Sequence, residues 1–179
     1  SDGEFLIWAK ATTSAGWYVS EPLRTRTPGQ VFFDFNKRLS ADDGSFQGVI
    51  SVSLLTEYYD KYFSEQLETE PGFTLSLIRS DGSYISRYPG ADSTQTPRLG
   101  PGSRLMARMT AETSSGEVEG TSTLDGEFRY VAFRRVGDLP LYAVASATRS
   151  VLLQPWLQSM ALLTAFTLPL ALSLAGLCW

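Results

Sequence analysis

The stretch FQGVISVSLLTEYYDKYFSEQL, positions 46–67, changes its hydrophobic period partway along, and that change decides how the rest of the chain reads. In its first half Ile50, Val52 and Leu54 alternate with Ser51 and Ser53, the two-residue period of a strand with one buried face and one wet face. From Leu55 onward the apolar residues are Tyr58, Tyr59, Tyr62, Phe63 and Leu67, the spacing of an amphipathic helix. Thr56 is placed to cap that helix, Glu57 and Asp60 suit its positive end, and Glu70-Pro71-Gly72 stops it. A strand running straight into a helix predicts a connector between two sheet-bearing stretches.

Both flanks supply those stretches. Upstream, VFFDFNKRL at 31–39 reads as a strand, and Asp42-Asp43-Gly44-Ser45 as the turn that returns it to 46–55. Pro28-Gly29 within TRTPGQ is turn chemistry. The first 24 residues are strongly aromatic, with one short strand expected at 16–20 before Glu21-Pro22. Downstream, FTLSLIR (73–79) alternates, turns at Asp81-Gly82 and returns as YISRY (84–88). After a Pro-, Gly- and Ser-rich loop at 89–102, Ser103 can cap a short helix bearing Leu105, Met106 and Met109. Strands follow at 116–123, 128–136 and 141–147, the first two joined by Asp125-Gly126. Asp-Gly, then Ser or Glu, then an aromatic occurs three times, at Asp43, Asp81 and Asp125; tight-turn chemistry alone explains it. The fold class is therefore α+β, with antiparallel sheets and flanking helices.

The final run, MALLTAFTLPLALSLAGLCW at 160–179, holds no ionisable side chain except Cys178. A membrane-spanning helix needs about 20 apolar residues, so this run is long enough. Trp156 and Trp179 stand 23 positions apart, about 35 Å along a helix, as interfacial anchors would. Pro169 is tolerable in such a helix because neighbouring groups satisfy the freed carbonyl. No signal peptide or initiator Met precedes Ser1, which opens as though in mid-domain, so the chain is expected to be a piece of a longer protein.

Composition removes whole classes of chemistry. Among 179 residues there is no histidine and one cysteine, and the formal charge is −4. The commonest general base, the Ser-His nucleophile and the usual metal ligands are missing, and no Walker or dinucleotide-binding glycine motif occurs. An acidic chain has no footprint for nucleic acid. Neither an enzyme nor a cofactor is expected, and no metal site. A binding module fits better: aromatic walls with a few charged groups hold small ligands. Trp8, Trp17, Tyr18, Glu21, Arg24 and Arg26 are the candidate ligand-binding residues, although core packing would account for each tryptophan singly. Arg24 and Arg26 flank Thr25 and cannot both face inward in an extended segment.

The string VSEPLRTRTPGQVFFDFNKRLSADDGSFQGVISVSLLTEYYDKYF resembles the middle of a double Cache sensor domain, the PAS-like extracytoplasmic module also called PDC. Ser20-Glu21-Pro22, Thr27-Pro28-Gly29, Asp43-Gly44 with Gly48-Val49, and Tyr58-Tyr59 carry the likeness. Arg87-Tyr88-Pro89, Gly116 and Tyr130-Val131-Ala132-Phe133 extend it into the second half. The resemblance implies the C-terminal part of a membrane-distal module at 1–55, a connecting helix at 56–70, a membrane-proximal module at 71–148, and an exit helix with its span at 149–179. It implies residues 1–150 outside a bacterial inner membrane, a homodimer, and a small-molecule ligand whose binding is passed to a kinase, cyclase, phosphodiesterase or chemoreceptor output. Amino-acid sensors of the family place an aspartate a few residues after the Pro of this strand-turn, and in Leu23-Arg24-Thr25-Arg26 Thr25 stands nearest that position. That departure argues against an α-amine partner and for an anion, such as a carboxylate, met by Arg24 or Arg26. The rival class is a membrane-anchored structural or assembly protein with a protein-binding soluble domain; a hydrolase would need catalytic residues from outside this chain.

Overall fold

The structure, a computed structural model, describes residues 4–12, 16–24, 30–68, 70–90, 97–100, 102–110, 114–122 and 124–177, with side chains to 169. Two antiparallel sheets carry most of it. The first has β3 (Val31–Ser40) at its centre. Along one side of β3 runs β4 (Phe46–Leu55); along the other lie two short strands end to end, β1 (Trp17–Val19) and β2 (Leu23–Arg24). The second sheet orders its strands β6-β5-β9-β8-β7, from β5 (Phe73–Arg79), β6 (Tyr84–Tyr88), β7 (Ser115–Thr121), β8 (Phe128–Arg135) and β9 (Leu141–Thr148). Central β9 is thus hydrogen-bonded along both edges, to β5 and to β8.

Helix α2 (Thr56–Leu67) leaves β4 without a break and packs on β6, as the change of period predicts. Its Tyr59 and Phe63 join the core that locks the two sheets together: Val19 and Phe33 from the first, Leu77, Ile85 and Leu141 from the second. The opposite face of the second sheet has its own core of Ile78, Phe133, Tyr142 and Val144, closed by Leu105 and Met109 of α3 (Arg104–Thr110). Period-two alternation divides β9 between these two cores: Leu141 goes to one, Tyr142 and Val144 to the other. Ser103 Oγ accepts the Met106 N–H at 3.4 Å, the expected cap of α3.

Three local readings are corrected. Ile50 and Val52 are 51% and 50% exposed rather than buried, and of that alternating trio only Leu54 reaches the core. They share a face with Phe33 and Phe35, but α2 and the second sheet cover only the end of β4 near Leu54. Thr56 does not cap α2: Leu55 is the N-cap residue, no side chain caps it, and Thr56 Oγ1 donates to Val31 O at 3.3 Å. The aromatic N-terminal segment contains a helix, α1 (Glu4–Ala11), which packs on β3 and β4. The face it meets is the serine face, and it is not simply wet. Asn36 is fully buried there and accepts Ser51 Oγ at 2.7 Å, while Asp34 accepts Ser53 Oγ at 2.5 Å.

Helix α4 (Arg149–Leu177) begins at the residue after β9. Its segment Arg149–Pro169 is long and apolar enough to cross a membrane and is unburied by the rest of the chain. The hydroxyls of Ser159, Thr164 and Thr167 donate to the carbonyls of Pro155, Met160 and Leu163 at 2.8–2.9 Å, four residues back. These three hydroxyls are thereby satisfied within the helix, as a hydrocarbon environment requires. Cys178 and Trp179, the expected distal anchor, lie outside the described residues.

Candidate functional site

The sequence-selected residues divide between several surroundings. Trp8 of α1 packs on Tyr18 of β1, ring centroids 5.3 Å apart, on the Asn36 side of the first sheet. Trp17 points the other way, with Lys37 Nζ 5.2 Å over its ring. Glu21 leaves this group altogether: it pairs with Arg98, which also bonds Ser83 Oγ at 2.9 Å and reaches Asp81 at 3.4 Å. Glu21 therefore bridges from the first sheet to the β5–β6 turn. Arg24 sits in β2 opposite Val31, with an exposed side chain. Arg26, Thr25 and the Pro28-Gly29 turn fall outside the described residues. The structure thus brings Trp8 and Tyr18 together and separates both from Trp17 and Glu21.

A well-formed cavity lies elsewhere, on the α3 side of the second sheet, with a volume of about 420 Å³. Its floor is built by alternation. Thr74 and Ser76 of β5, Val144 and Ser146 of β9, Arg129 and Val131 of β8 and Val118 of β7 occupy the positions that face α3. Leu105 and Leu99 form the roof. Strand β6 brings Arg87 and Tyr84 to one edge, and Arg104 stands exposed at the rim.

Two guanidinium groups converge at that edge on one carboxylate. Arg87 Nη2 and Arg129 Nη2 lie 2.8 and 2.9 Å from the same oxygen, Oδ2 of Asp125. Arg129 Nη1 also donates to Thr74 Oγ1 at 3.0 Å and to Gly72 O at 3.5 Å. Both arginine side chains are nearly enclosed, 10% and 12% exposed, against 31% for Asp125. Burial pushes the Asp125 carboxyl up, but Ser122, the Arg129 hydrogen bond and charge, and the Glu127 N–H outweigh it and hold the group down at about 2. Tyr84 titrates above its ordinary value, chiefly from burial. Near neutral pH the cavity edge thus presents a phenol, one carboxylate and two guanidinium ions.

None of these residues was among the sequence candidates. Asp125 reads as a turn residue, which it also is: its Oδ1 accepts the Glu127 N–H at 3.2 Å. The available signal was Arg129. It shares the inward parity of Val131 and Phe133, and a charge at a core-facing strand position needs a partner.

No protein-family model matches the chain, and no curated protein matches it. Solved structures do. The chain is similar to the extracellular domain of the protein named as the histidine kinase rpHK1S-Z16, at 28% identity and a TM-score of 0.63, covering 82% of this chain and 59% of that one. It is similar in fold to the periplasmic sensory domain of the Campylobacter jejuni chemoreceptor Tlp1, at 18% identity and a TM-score of 0.60, covering 79% and 52%. A third likeness is to the extracellular domain named for the histidine kinase mmHK1S-Z3, at 14% identity and 0.56, covering 80% and 53%. The chain thus spans between 52% and 59% of the length of these domains. Two antiparallel sheets bridged by α2, an apolar helix after the last strand, and likeness to these structures give one conclusion: the chain has the Cache-like, PAS-like fold of the extracytoplasmic sensor domains of histidine kinases and chemoreceptors.

Proposed function

We propose that this chain senses a small molecule outside a bacterial inner membrane and transmits its binding through α4 to a cytoplasmic output domain. One observation carries the reading: β9 is at once a wall of the cavity and the strand that continues, with no intervening loop, into the apolar helix. Val144 and Ser146 line the cavity, and Arg149 opens α4 three residues later. A ligand that favours one placement of β9 biases the helix with it. Only differential affinity for the two placements can do so.

Contacts at the junction support a stiff connection. Thr148 N–H donates to Gly72 O at 3.1 Å, and the Thr148 and Ser150 hydroxyls lie 3.1 Å apart. Gly72 O also receives Arg129 from the cavity edge. One carbonyl therefore meets both the cavity edge and the last residue of β9. In this reading 1–55 belongs to a membrane-distal module, α2 connects, 71–148 forms the proximal module, and 149–179 is the exit helix and span. The sequence candidates are proposed as contacts of a second ligand site in the distal module, Trp8 with Tyr18 on one face of the first sheet and Trp17, Glu21 and Arg24 apart from them, with Arg26 outside the described residues. Ala161 and Ala165, four apart on α4, suit close approach of a second copy in a homodimer.

A chimera tests the proposal: α4 is joined to the cytoplasmic part of a histidine kinase, and autophosphorylation is read against a panel of metabolites. Sensing predicts a response to at least one compound, abolished by inserting two glycines between Thr148 and Arg149. A kinase indifferent to every compound and to the insertion would sink the reading and favour a membrane-anchored assembly protein.

A further inference from the structure

We propose that the cavity of the second sheet binds a small aliphatic carboxylate, its head at Arg87 and Arg129 and its tail against Val118, Val131 and Val144. This rests on the sensing reading and names the ligand class for one site within it.

Charge is the first argument. Arg87, Arg104 and Arg129 contribute three positive charges at the cavity; Glu119 is the acid among its lining residues, and Asp125 stands at its edge, paired with Arg87 and Arg129. Glu119 borders the cavity, but alternation with inward-facing Val118 turns its side chain to the opposite face. Three guanidinium ions against one carboxylate leave a formal excess of two. Two of the three are nearly enclosed, where an uncompensated charge is costly and an anion from solution relieves it.

Hydrogen-bond capacity is the second argument. A guanidinium has five N–H donors. Among the described residues, Nε of Arg87 and Nε of Arg129 are buried without any partner. Asp125 spends a single oxygen, Oδ2, on both arginines, because Oδ1 is taken by the turn. Neither arginine has the two-oxygen, fork-to-fork pairing that satisfies this ion best. A second carboxylate would complete what Asp125 serves in part.

Shape and polarity are the third argument. Thr74, Ser76 and Ser146 lie on the floor, Thr74 bonded to Arg129 and Ser76 paired across from Arg87, while Val118, Val131, Val144 and Leu105 supply an apolar part. A head-and-tail ligand matches that division. A free phosphate would leave the apolar part unused, and a neutral amine or sugar would leave the charge unmet.

The test uses the full chain in phosphatidylcholine nanodiscs, titrated at constant ionic strength with sodium propionate and butyrate, and with propionamide and butyramide as neutral matches. The expected result is saturable binding of an acid and none of its amide. Binding should weaken at least tenfold in Arg87→Gln and stay unchanged in Arg134→Gln, an exposed arginine on the opposite face of β8. Asp125→Asn guards against simple damage to the fold. Removing the competing carboxylate should tighten acid binding several-fold, which a merely disrupted site cannot do. The proposal is overturned if no acid binds, if amides bind equally well, if Asp125→Asn weakens binding, or if Arg134→Gln alone abolishes it. Each of those results leaves the chimera test of sensing standing.

Discussion

Gly72 is where the account can be pressed hardest. Its φ of +85° lies in the left-handed region, and a Cβ built there would stand 2.2 Å from Val151 Cγ2 and 3.0 Å from Thr148 Oγ1. Gly72→Ala therefore suffers twice. The backbone penalty for a side chain at this φ is about 1–2 kcal/mol. Forcing Val151 and the first turn of α4 aside adds about 1–3 kcal/mol of overpacking. The total, about 2–5 kcal/mol, should lower the thermal midpoint of the sensor portion by about 4–20 °C for a chain of this size. Tryptophan fluorescence of the chain in nanodiscs reads it. Val151→Ala in the same chain should return the overpacking part and leave the backbone part, giving a coupling of about 1–3 kcal/mol in a double-mutant cycle. A Gly72→Ala midpoint within about 2 °C of wild type, or a double variant no better than the single, would refute the claim that α4 is packed onto the start of β5.

Asp125 sets a pH dependence. Its folded-state pKa is depressed to about 2 from an ordinary 3.8, so its contribution is complete above about 4 and is lost as pH falls toward 2. Wild type should lose stability across that window relative to Asp125→Asn, as followed by acid titration of near-UV circular dichroism; parallel curves would count against the paired carboxylate. Ile78 is fully buried beside Leu105, Phe133 and Tyr142, so Ile78→Ala should cost about 2–5 kcal/mol in denaturant unfolding. Half-exposed Ile50→Ala should cost under about 1 kcal/mol in the same assay, and a larger loss would mean its face is covered. Glu21 and Arg98 are 51% and 56% exposed, and their double-mutant coupling should stay below about 1 kcal/mol. A stronger coupling would make this bridge a principal clamp between the sheets.

The periodic elements were legible because burial writes them directly into the sequence. FTLSLIR, YISRY, FRYVAFRR and LYAVASAT lie where their alternation and their turns put them, and 56–67 becomes a helix where the period changes. The α1 helix was missed because its aromatic and apolar residues follow neither template over only eight positions. Strand β2, two residues long, has no period at all and exists only through its pairing with β3. Ile50 and Val52 show the limit of pattern reading. Alternation specifies which face a residue is on, not how far the covering layer extends along it. The cavity was illegible for a related reason. Arg87, Asp125 and Arg129 are separated by up to 42 positions and meet only because β6 and β8 flank the β5–β9 pair. Asp125 was further disguised, since a turn aspartate and an arginine partner look the same in sequence.

The central claim is mechanical: the cavity wall and the apolar helix are one continuous unit. Hydrogen exchange on the full chain in nanodiscs, read by mass spectrometry with and without saturating sodium propionate or butyrate, tests it most directly. The account predicts that protection rises together in β9 (Leu141–Thr148) and in the first turns of α4 from Arg149 onward. Protection confined to the cavity strands, with exchange in the first turns of α4 unchanged, would contradict it.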